Sequence, residues 1–336
     1  MVDVFVNIDY TTSVKYGILD TVQHIDREKA QSLLHEPSVC SGKAVKSSGG
    51  GAANVAKIAA MLGMKAVFTG CTGEDDLAGI FEKEITDAGV SAMLTKTNEK
   101  TGLCFVCNVS GETRFAASPG AALALDETNI SEELIGSAEV VVVDGYILDR
   151  RPLVQHILRL ASRRGIPAAL DAASIFQVRG KAEEILTYSR NYPLIIFMNA
   201  DETLAFYHTI RKSRNEETNL SEKDKEALIL QDVCPMLKII TDGEIYPIIV
   251  VKLGGRGAVV VAGGNVYREE TFTIIPRNTV GAGDAFCAAF LAAWVRGKSL
   301  SECAVLGNKV AREILEVPGT RIKSGKMKAF AKMLSK

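Results

Sequence analysis

Short apolar runs recur along the chain, at 66–69, 140–144, Ala168–Asp171, Leu194–Asn199, 248–253 and Ala258–Ala262. They are rich in valine and isoleucine, and some are apolar at every position, as in Val140-Val141-Val142-Val143. A strand without polar alternation is expected to be covered on both faces. Between these runs lie stretches of helical character at 52–62, 151–164, 285–296 and 301–315. In the second stretch Leu153, Ile157, Leu158 and Ala161 fall on one helix face. Strands alternating with helices predict an α/β fold built on a doubly wound, mainly parallel sheet.

The texture changes at 95–117. There the apolar Leu103–Val109 and the segment 113–116 flank Ser110-Gly111-Glu112, which predicts a hairpin closed by polar turn residues. A hairpin inserted early in an α/β chain is a candidate lid over a cleft. The segment 212–225 is strongly charged and is expected to be a solvated helix or loop. No internal repeat or low-complexity linker interrupts the chain.

Composition narrows the class. The chain has 336 residues, 47% hydrophobic and 24% charged, enough to build a large core unaided. Its 39 basic and 40 acidic side chains leave no footprint for nucleic acid or an anionic membrane. No apolar run reaches the ~18 residues of a membrane span. The start of the chain lacks the plan of a signal peptide, so a cytoplasmic protein is expected. Seven scattered cysteines fit reduced thiols better than a disulfide framework. Cys104-x-x-Cys107 lies inside a strand-like run, where an offset of three sends the two side chains to opposite faces. The four histidines show no metal-ligand spacing.

Four constellations carry candidate chemistry. In Ser48-Gly49-Gly50-Gly51-Ala52-Ala53-Asn54, three glycines open a helix of small residues. Glycines allow close approach of backbone to a ligand, and the Asn54 amide can bind hydroxyls as donor and acceptor. The same residues also fit a tightly packed turn. In Asn278-Thr279-Val280-Gly281-Ala282-Gly283-Asp284, a Gly-Ala-Gly turn leads into a helix, whose free amides and dipole suit an anion. Asp284 there fits either an N-cap or a base that deprotonates an attacking hydroxyl. Lys252-Leu253-Gly254-Gly255-Arg256-Gly257 is a glycine turn between two apolar strands, equally readable as a plain hairpin. Asn199-Ala200-Asp201-Glu202 follows a strand directly, at the end where α/β sheets bind ligands. Asn199 and Glu202 suit water-mediated binding of Mg²⁺, and they also suit a capping box. Neither a Walker loop nor a dinucleotide fingerprint is present.

Taken together and in this order, the four motifs resemble the ribokinase-like (PfkB) family of carbohydrate kinases. Gly49-Gly50-Gly51-Ala52-Ala53-Asn54, followed by Gly63 and Gly73, is similar to its first signature, which contacts the sugar. Asn199-x-x-Glu202 is similar to its N-x-x-E element, linked to Mg²⁺ and phosphate. Lys252-Leu253-Gly254-x-x-Gly257 is similar to its nucleotide turn, and Asn308 matches an asparagine near the nucleotide. The segment 278–284 is similar to the second signature, with the anion hole at Gly281, Ala282 and Gly283 and the catalytic base at Asp284. Asp144-Gly145-Tyr146-Ile147-Leu148 and Pro119-Gly120-Ala121 look nearest the adenosine-kinase-like branch.

The resemblance implies one ribokinase-like kinase domain over 1–336, with a small β lid from roughly 1–25 and 95–120. It implies ATP and Mg²⁺ as cofactors, a small sugar or nucleoside as acceptor, and a homodimer through the lid as an option. A catalytically impaired binding protein of the same fold is the alternative, and an NAD-dependent enzyme is disfavoured by the missing fingerprint. Two departures stand out. Relatives often carry Asp where this chain has Asn278, which predicts weak or absent dependence on K⁺ as monovalent cation. Relatives also carry a Gly-Asn pair upstream of an aspartate matching Asp3, a sugar ligand. The chain is therefore expected to start late, with a first strand that is short or missing and with Asp3 at a frayed end.

Overall fold

The computed structural model describes residues 1–40, 44–212, 220–242, 246–276, 279–316 and 324–334. They divide into two compact units, one of residues 1–60 and 65–129, the other of residues 61–64 and 130–336. Both expected lid segments fall in the first unit.

The first unit contains β1 (Val2–Ile8), β2 (Val22–His24), β3 (Val45–Ser48), β4 (Val67–Thr72), β5 (Ser91–Lys96), β6 (Leu103–Val109) and β7 (Glu112–Ser118). Five of these form a mixed sheet in the order β2-β7-β6-β1-β3, and β4 pairs with β5 in a separate parallel ribbon. Strand β1 alternates: Val2, Val4, Val6 and Ile8 enter the core with Phe81, Ile85 and Phe105, while Asp3, Phe5 and Asn7 take the other face. The expected hairpin is present. β6 and β7 pair antiparallel from Leu103↔Ser118 to Val109↔Glu112, closed by Ser110 and Gly111 at φ +53° and +92°. Two left-handed residues make the tight turn whose twist matches the strands.

The first strand is neither short nor missing. All seven residues of β1 pair in parallel with β6, and Val2–Phe5 also pair antiparallel with β3. The Val2 N–H donates to the Gly102 carbonyl at 2.8 Å, and the Gly49 N–H to the Met1 carbonyl at 3.0 Å. Asp3 therefore sits inside a sheet with 6% of its surface exposed, not at a frayed end.

The second unit carries β8 (Val141–Asp144), β9 (Ala168–Asp171), β10 (Leu194–Asn199), β11 (Ile248–Lys252), β12 (Ala258–Ala262) and β13 (Asn265–Glu269). They lie side by side in sequence order; β8 to β11 are parallel, and β12 and β13 turn back antiparallel. The main sheet is thus mixed, its parallel part set by helical crossovers and its antiparallel edge by tight turns. Helices Arg151–Arg163, Ile175–Asn191 and Ala200–Arg211 follow β8, β9 and β10, and Ala282–Val295 packs against Leu300–Leu315. The helix Ala282–Val295 is apolar nearly all round and buried from Ala285 to Ala293, as such a composition requires. Part of the charged 212–225 stretch, 213–219, lies outside the described residues; the rest includes the start of a helix, Glu222–Leu228.

Candidate active site

In the first unit the structure brings together Asp3, Gly49, Gly50, Gly51 and Asn54. Asp3 lies opposite Ser47 in the β1–β3 pairing, one residue before Ser48 leads into the glycines. A Cβ on Gly49 would lie 2.0 Å from the Asp3 carboxyl carbon, so only glycine admits the carboxyl there. Burial pushes the Asp3 carboxyl up to about 6, against the pull of the N-terminal ammonium and, less, of the Lys57 ammonium. Lys57 was not singled out from sequence. It is buried nearly two turns into the helix Gly51–Met61, and its Nζ donates to the Ser48 carbonyl at 2.7 Å and the Ser48 Oγ at 2.9 Å. The Ser48 N–H donates to Glu84 at 2.7 Å, so the residue before the glycines is held from both sides. Asn54 is buried in the same helix.

The second unit gathers the phosphate motifs at one edge of its sheet. Asp144, Asp171, Asn199 and Lys252 occupy the last positions of β8, β9, β10 and β11. Register pairs Asp144 with Asp171 and Asn199 with Lys252, so four polar residues end four apolar strands in a row. The carboxyl ends of parallel strands are where α/β sheets bind ligands.

Asp284 is not an N-cap. The cap of the helix Ala282–Val295 is Gly281, at φ +80°, which places Asp284 at the third helical position. Gly281, Ala282 and Gly283 thus form the opening of a 14-residue helix, with the amides of its first turn at the mouth. Among the described residues and outside its own helix backbone and chain neighbours, the one atom within 4 Å of a Cβ placed on Gly283 is the Lys252 Nζ, at 3.4 Å.

Lys252 belongs to a partly buried cluster that sequence reading did not assemble. Its Nζ donates to Asp171 Oδ2 at 2.7 Å, and the Cys287 thiol donates to the same oxygen at 3.0 Å. Burial raises the Asp171 carboxyl, but the Lys252 ammonium and the thiol lower it further, leaving it below the usual aspartate range. Burial likewise opposes the charge on Lys252, yet Asp171, Cys287 and Glu202 hold the ammonium above the usual lysine range. The Ala173 N–H supports Asp171 Oδ1 at 3.1 Å, with Ala173 in a left-handed conformation at φ +65°. A non-glycine residue there carries about 1 kcal/mol of strain. The available signal for Asp171 was its place as a polar residue ending an apolar strand, the criterion that picked out Asn199.

Asn199 and Glu202 do form the capping box. The Asn199 side chain accepts from the Glu202 N–H at 2.8 Å, and Glu202 Oε2 accepts from the Asn199 N–H at 2.8 Å. Glu202 is 4% exposed, and burial pushes its carboxyl up to about 7 although Lys252 pulls it down. Capping does not exhaust a carboxylate, whose oxygens each have a further lone pair for water.

The nucleotide-turn motif joins β11 to β12. Gly254 and Gly257 have φ of +56° and +92°, and a Cβ on Gly257 would lie 2.1 Å from the Glu269 carbonyl. The turn is tied down by Arg256 and Arg268, which both donate to the buried Glu226. Asn308, on Leu300–Leu315, donates to the same Glu269 carbonyl at 3.4 Å, so the turn and Asn308 share a neighbour. Arg277 and Asn278, on which the K⁺ expectation rests, lie outside the described residues. Among the described residues no three His, Cys, Asp or Glu side chains converge as a metal cage, and no helix is long and apolar enough to cross a membrane. Cys104 and Cys107 are buried free thiols.

Comparison with known proteins agrees with these motifs. The sequence profile of the pfkB family carbohydrate kinases matches residues 11–326. An adenosine kinase of Schizophyllum commune is 26% identical over 327 residues, covering 92% of this chain and 90% of its own length. A 5-dehydro-2-deoxygluconokinase of Bacillus subtilis (strain 168) is 24% identical over 78% of this chain and 79% of its own. The crystal structure of adenosine kinase from Sinorhizobium meliloti superimposes with a TM-score of 0.82 at 25% identity, over 99% of this chain and 96% of that one. Its neighbours in structure are ribokinase-like, as the order of the motifs implied.

Proposed function

Because the chain belongs to the pfkB family of carbohydrate kinases, we propose that it transfers the γ-phosphoryl group of ATP to an alcohol group of a small sugar or nucleoside. The observation that supports this best is the placing of Asp284 at the third position of a helix whose N-cap position is Gly281. A carboxylate in the first turn stands beside the amides of a glycine turn that suits an anion, the pair of groups that phosphoryl transfer requires.

Asp3, the Gly49–Gly51 backbone and Asn54 bind the acceptor's hydroxyls. The buried Asp3 carboxyl gives a directional acceptor for a sugar hydroxyl, fixed by the glycine beneath it. Asp284 orients the reacting hydroxyl and takes its proton as the alcohol oxygen bonds to the γ-phosphorus. The bond from that phosphorus to the bridging oxygen breaks, and ADP leaves with the electron pair. The amides of Gly281, Ala282 and Gly283 offset charge on the phosphoryl oxygens during transfer. The Gly254–Gly257 turn and Asn308 hold the nucleotide.

Mg²⁺ fits this donor set only through water and phosphate. With no protein cage among the described residues, the ion would be held by phosphate oxygens and waters ordered by Glu202, the mode Mg²⁺ favours. Bound there, it neutralises charge on the phosphates.

The test is ADP release across a panel of sugars and nucleosides, including adenosine and 5-dehydro-2-deoxygluconate, the molecules named in the relatives' activities. Release that depends on both ATP and one acceptor supports the reading. ATP binding with no release for any acceptor supports an impaired binding protein instead.

A further inference from the structure

Lys252 was picked out as part of a glycine turn, but its ammonium is not at the turn. It lies in a partly buried cluster with Asp171 and Cys287, and it faces the open side of Gly283. Three features make this placement costly unless it serves a ligand. An ammonium is taken out of water, with 14% of its side-chain surface exposed. It is set beside the positive end of a helix dipole, where a cation is disfavoured. Its carboxylate partner is fixed by a strained non-glycine residue, Ala173. A buried ion pair alone would be replaced by apolar packing at little loss of stability. An anion seated on the Gly281–Gly283 amides reverses the second cost and gives the ammonium a second partner.

We propose that Lys252 is a catalytic residue whose ammonium contacts the phosphoryl group in transfer, and that Asp171 and Cys287 are its positioning residues. The inference rests on the phosphoryl-transfer reading above and adds a fixed side-chain cation to the amides of the turn. Asp171 carries two donors on one oxygen, the ammonium at 2.7 Å and the thiol at 3.0 Å, with a third from Ala173 on the other. This arrangement leaves the Lys252 side chain little freedom to swing away. With two of its N–H bonds directed at Asp171 and the Cys287 sulfur, 3.9 Å away, the third is left for the Gly283 side. The ammonium stays protonated throughout, so it moves no proton. It offsets charge that grows on the phosphoryl oxygens while Asp284 accepts the alcohol proton and ADP departs.

The test compares wild type with Lys252→Met and with the neutral pair Asp171→Asn/Lys252→Met, which removes both charges of the ion pair together and so keeps a folded protein measurable. Affinities for ATP and ADP are measured by calorimetry, and turnover with the best acceptor of the panel. Loss of an ammonium that meets the γ-phosphate should weaken ATP by about tenfold or more while leaving ADP within about threefold. Turnover should fall by ~10²–10³-fold. Lys252→Arg should restore part of the ATP preference, and Asp171→Asn alone should lower kcat more than it raises the KM for ATP. Equal losses for ATP and ADP, or none for either, overturn the proposal, because the cluster is then only structural. Failure of the kinase reading looks different: wild type releases no ADP with any acceptor, while the ATP-over-ADP preference and its loss in the paired variant still decide whether Lys252 meets the terminal phosphate. Wild type that binds neither nucleotide overturns both.

Discussion

The Asp3 carboxyl occupies the space that a side chain on Gly49 would need: a Cβ there would lie 2.0 Å from the Asp3 Cγ. Gly49→Ala should therefore push Asp3 off its position and overpack its surroundings, at a cost on the order of 1–3 kcal/mol. A displaced ligand about 1 Å from its place should weaken acceptor use, raising KM by up to ~10²-fold. In an Asp3→Ala background the same glycine substitution should cost little stability. Thermal melts and acceptor KM for the four proteins of this cycle check both claims; strictly additive stabilities would show that the two residues do not compete.

Asp284→Asn is expected to leave the fold intact, because Asp284 is not at the N-cap position and asparagine is nearly isosteric and tolerated near a helix start. Removing the base should lower kcat by ~10²–10⁴-fold. Nucleotide affinity should stay near the wild-type value. Near-normal kcat would remove Asp284 from the chemistry.

Gly254 and Gly257 both have positive φ, yet their surroundings differ. Among the described residues nothing lies within 4 Å of a Cβ on Gly254, whereas one on Gly257 would lie 2.1 Å from the Glu269 carbonyl. Gly254→Ala should cost only the left-handed penalty of about 1 kcal/mol. Gly257→Ala should cost that and a backbone displacement of the turn, and it should weaken nucleotide binding where Gly254→Ala does not. Chemical denaturation and ATP titration of the two variants check the contrast.

Glu202 gives a pH dependence with a definite sign. Burial, the largest influence, pushes its carboxyl from the usual 4.5 to about 7 in the folded protein. Between those values the folded state binds more protons than the unfolded one, so stability falls as pH rises through that window. The stabilising contribution is whole below about 4.5 and lost above about 7. Glu202→Gln, which cannot ionise, should remove this slope, gaining on the order of 1–3 kcal/mol at pH 8 relative to its standing at pH 4.5. Parallel stability curves for both proteins across that range would refute the shift.

Much of this architecture was legible because the central strands are buried on both faces. Ala168–Asp171, Leu194–Asn199 and Ala258–Ala262 begin and end where their apolar runs do, the first two between a proline and a closing polar residue and the third between two glycines. Leu103–Val109 was legible for a different reason, the two-residue turn that follows it. Short edge strands such as Val22–His24 left no such mark, because pairing with β7 rather than composition defines them. The strand Val2–Ile8 was underestimated because its partners, β3 and β6, lie far along the chain and hydrogen-bond it along its length. The site shows the same division. Asp284 and the glycine turns announced themselves by local spacing, whereas Asp171 and Cys287 are separated by 116 positions and meet only through the fold. Lys57 was hidden likewise, as one lysine on a helix whose partner Ser48 precedes the glycines.

The helix Ala282–Val295 joins two very different environments within a few residues. Its body is wedged among aromatic rings, with Phe197 edge-on to Phe286 and Phe290 at centroid distances of 6.4 and 5.3 Å. Its first turn has no side-chain cap. Hydrogen–deuterium exchange should register this as a step. Amides from Ala285 to Ala293 should exchange only when the whole unit opens, while that of Gly283 in the first turn should exchange early, and that of Ala282, held only by a long 3.4 Å bond to the Thr279 carbonyl, soon after. An anion bound there would close that step. Slowed exchange confined to the first turn on adding ATP therefore reports occupancy of the turn without any need for turnover.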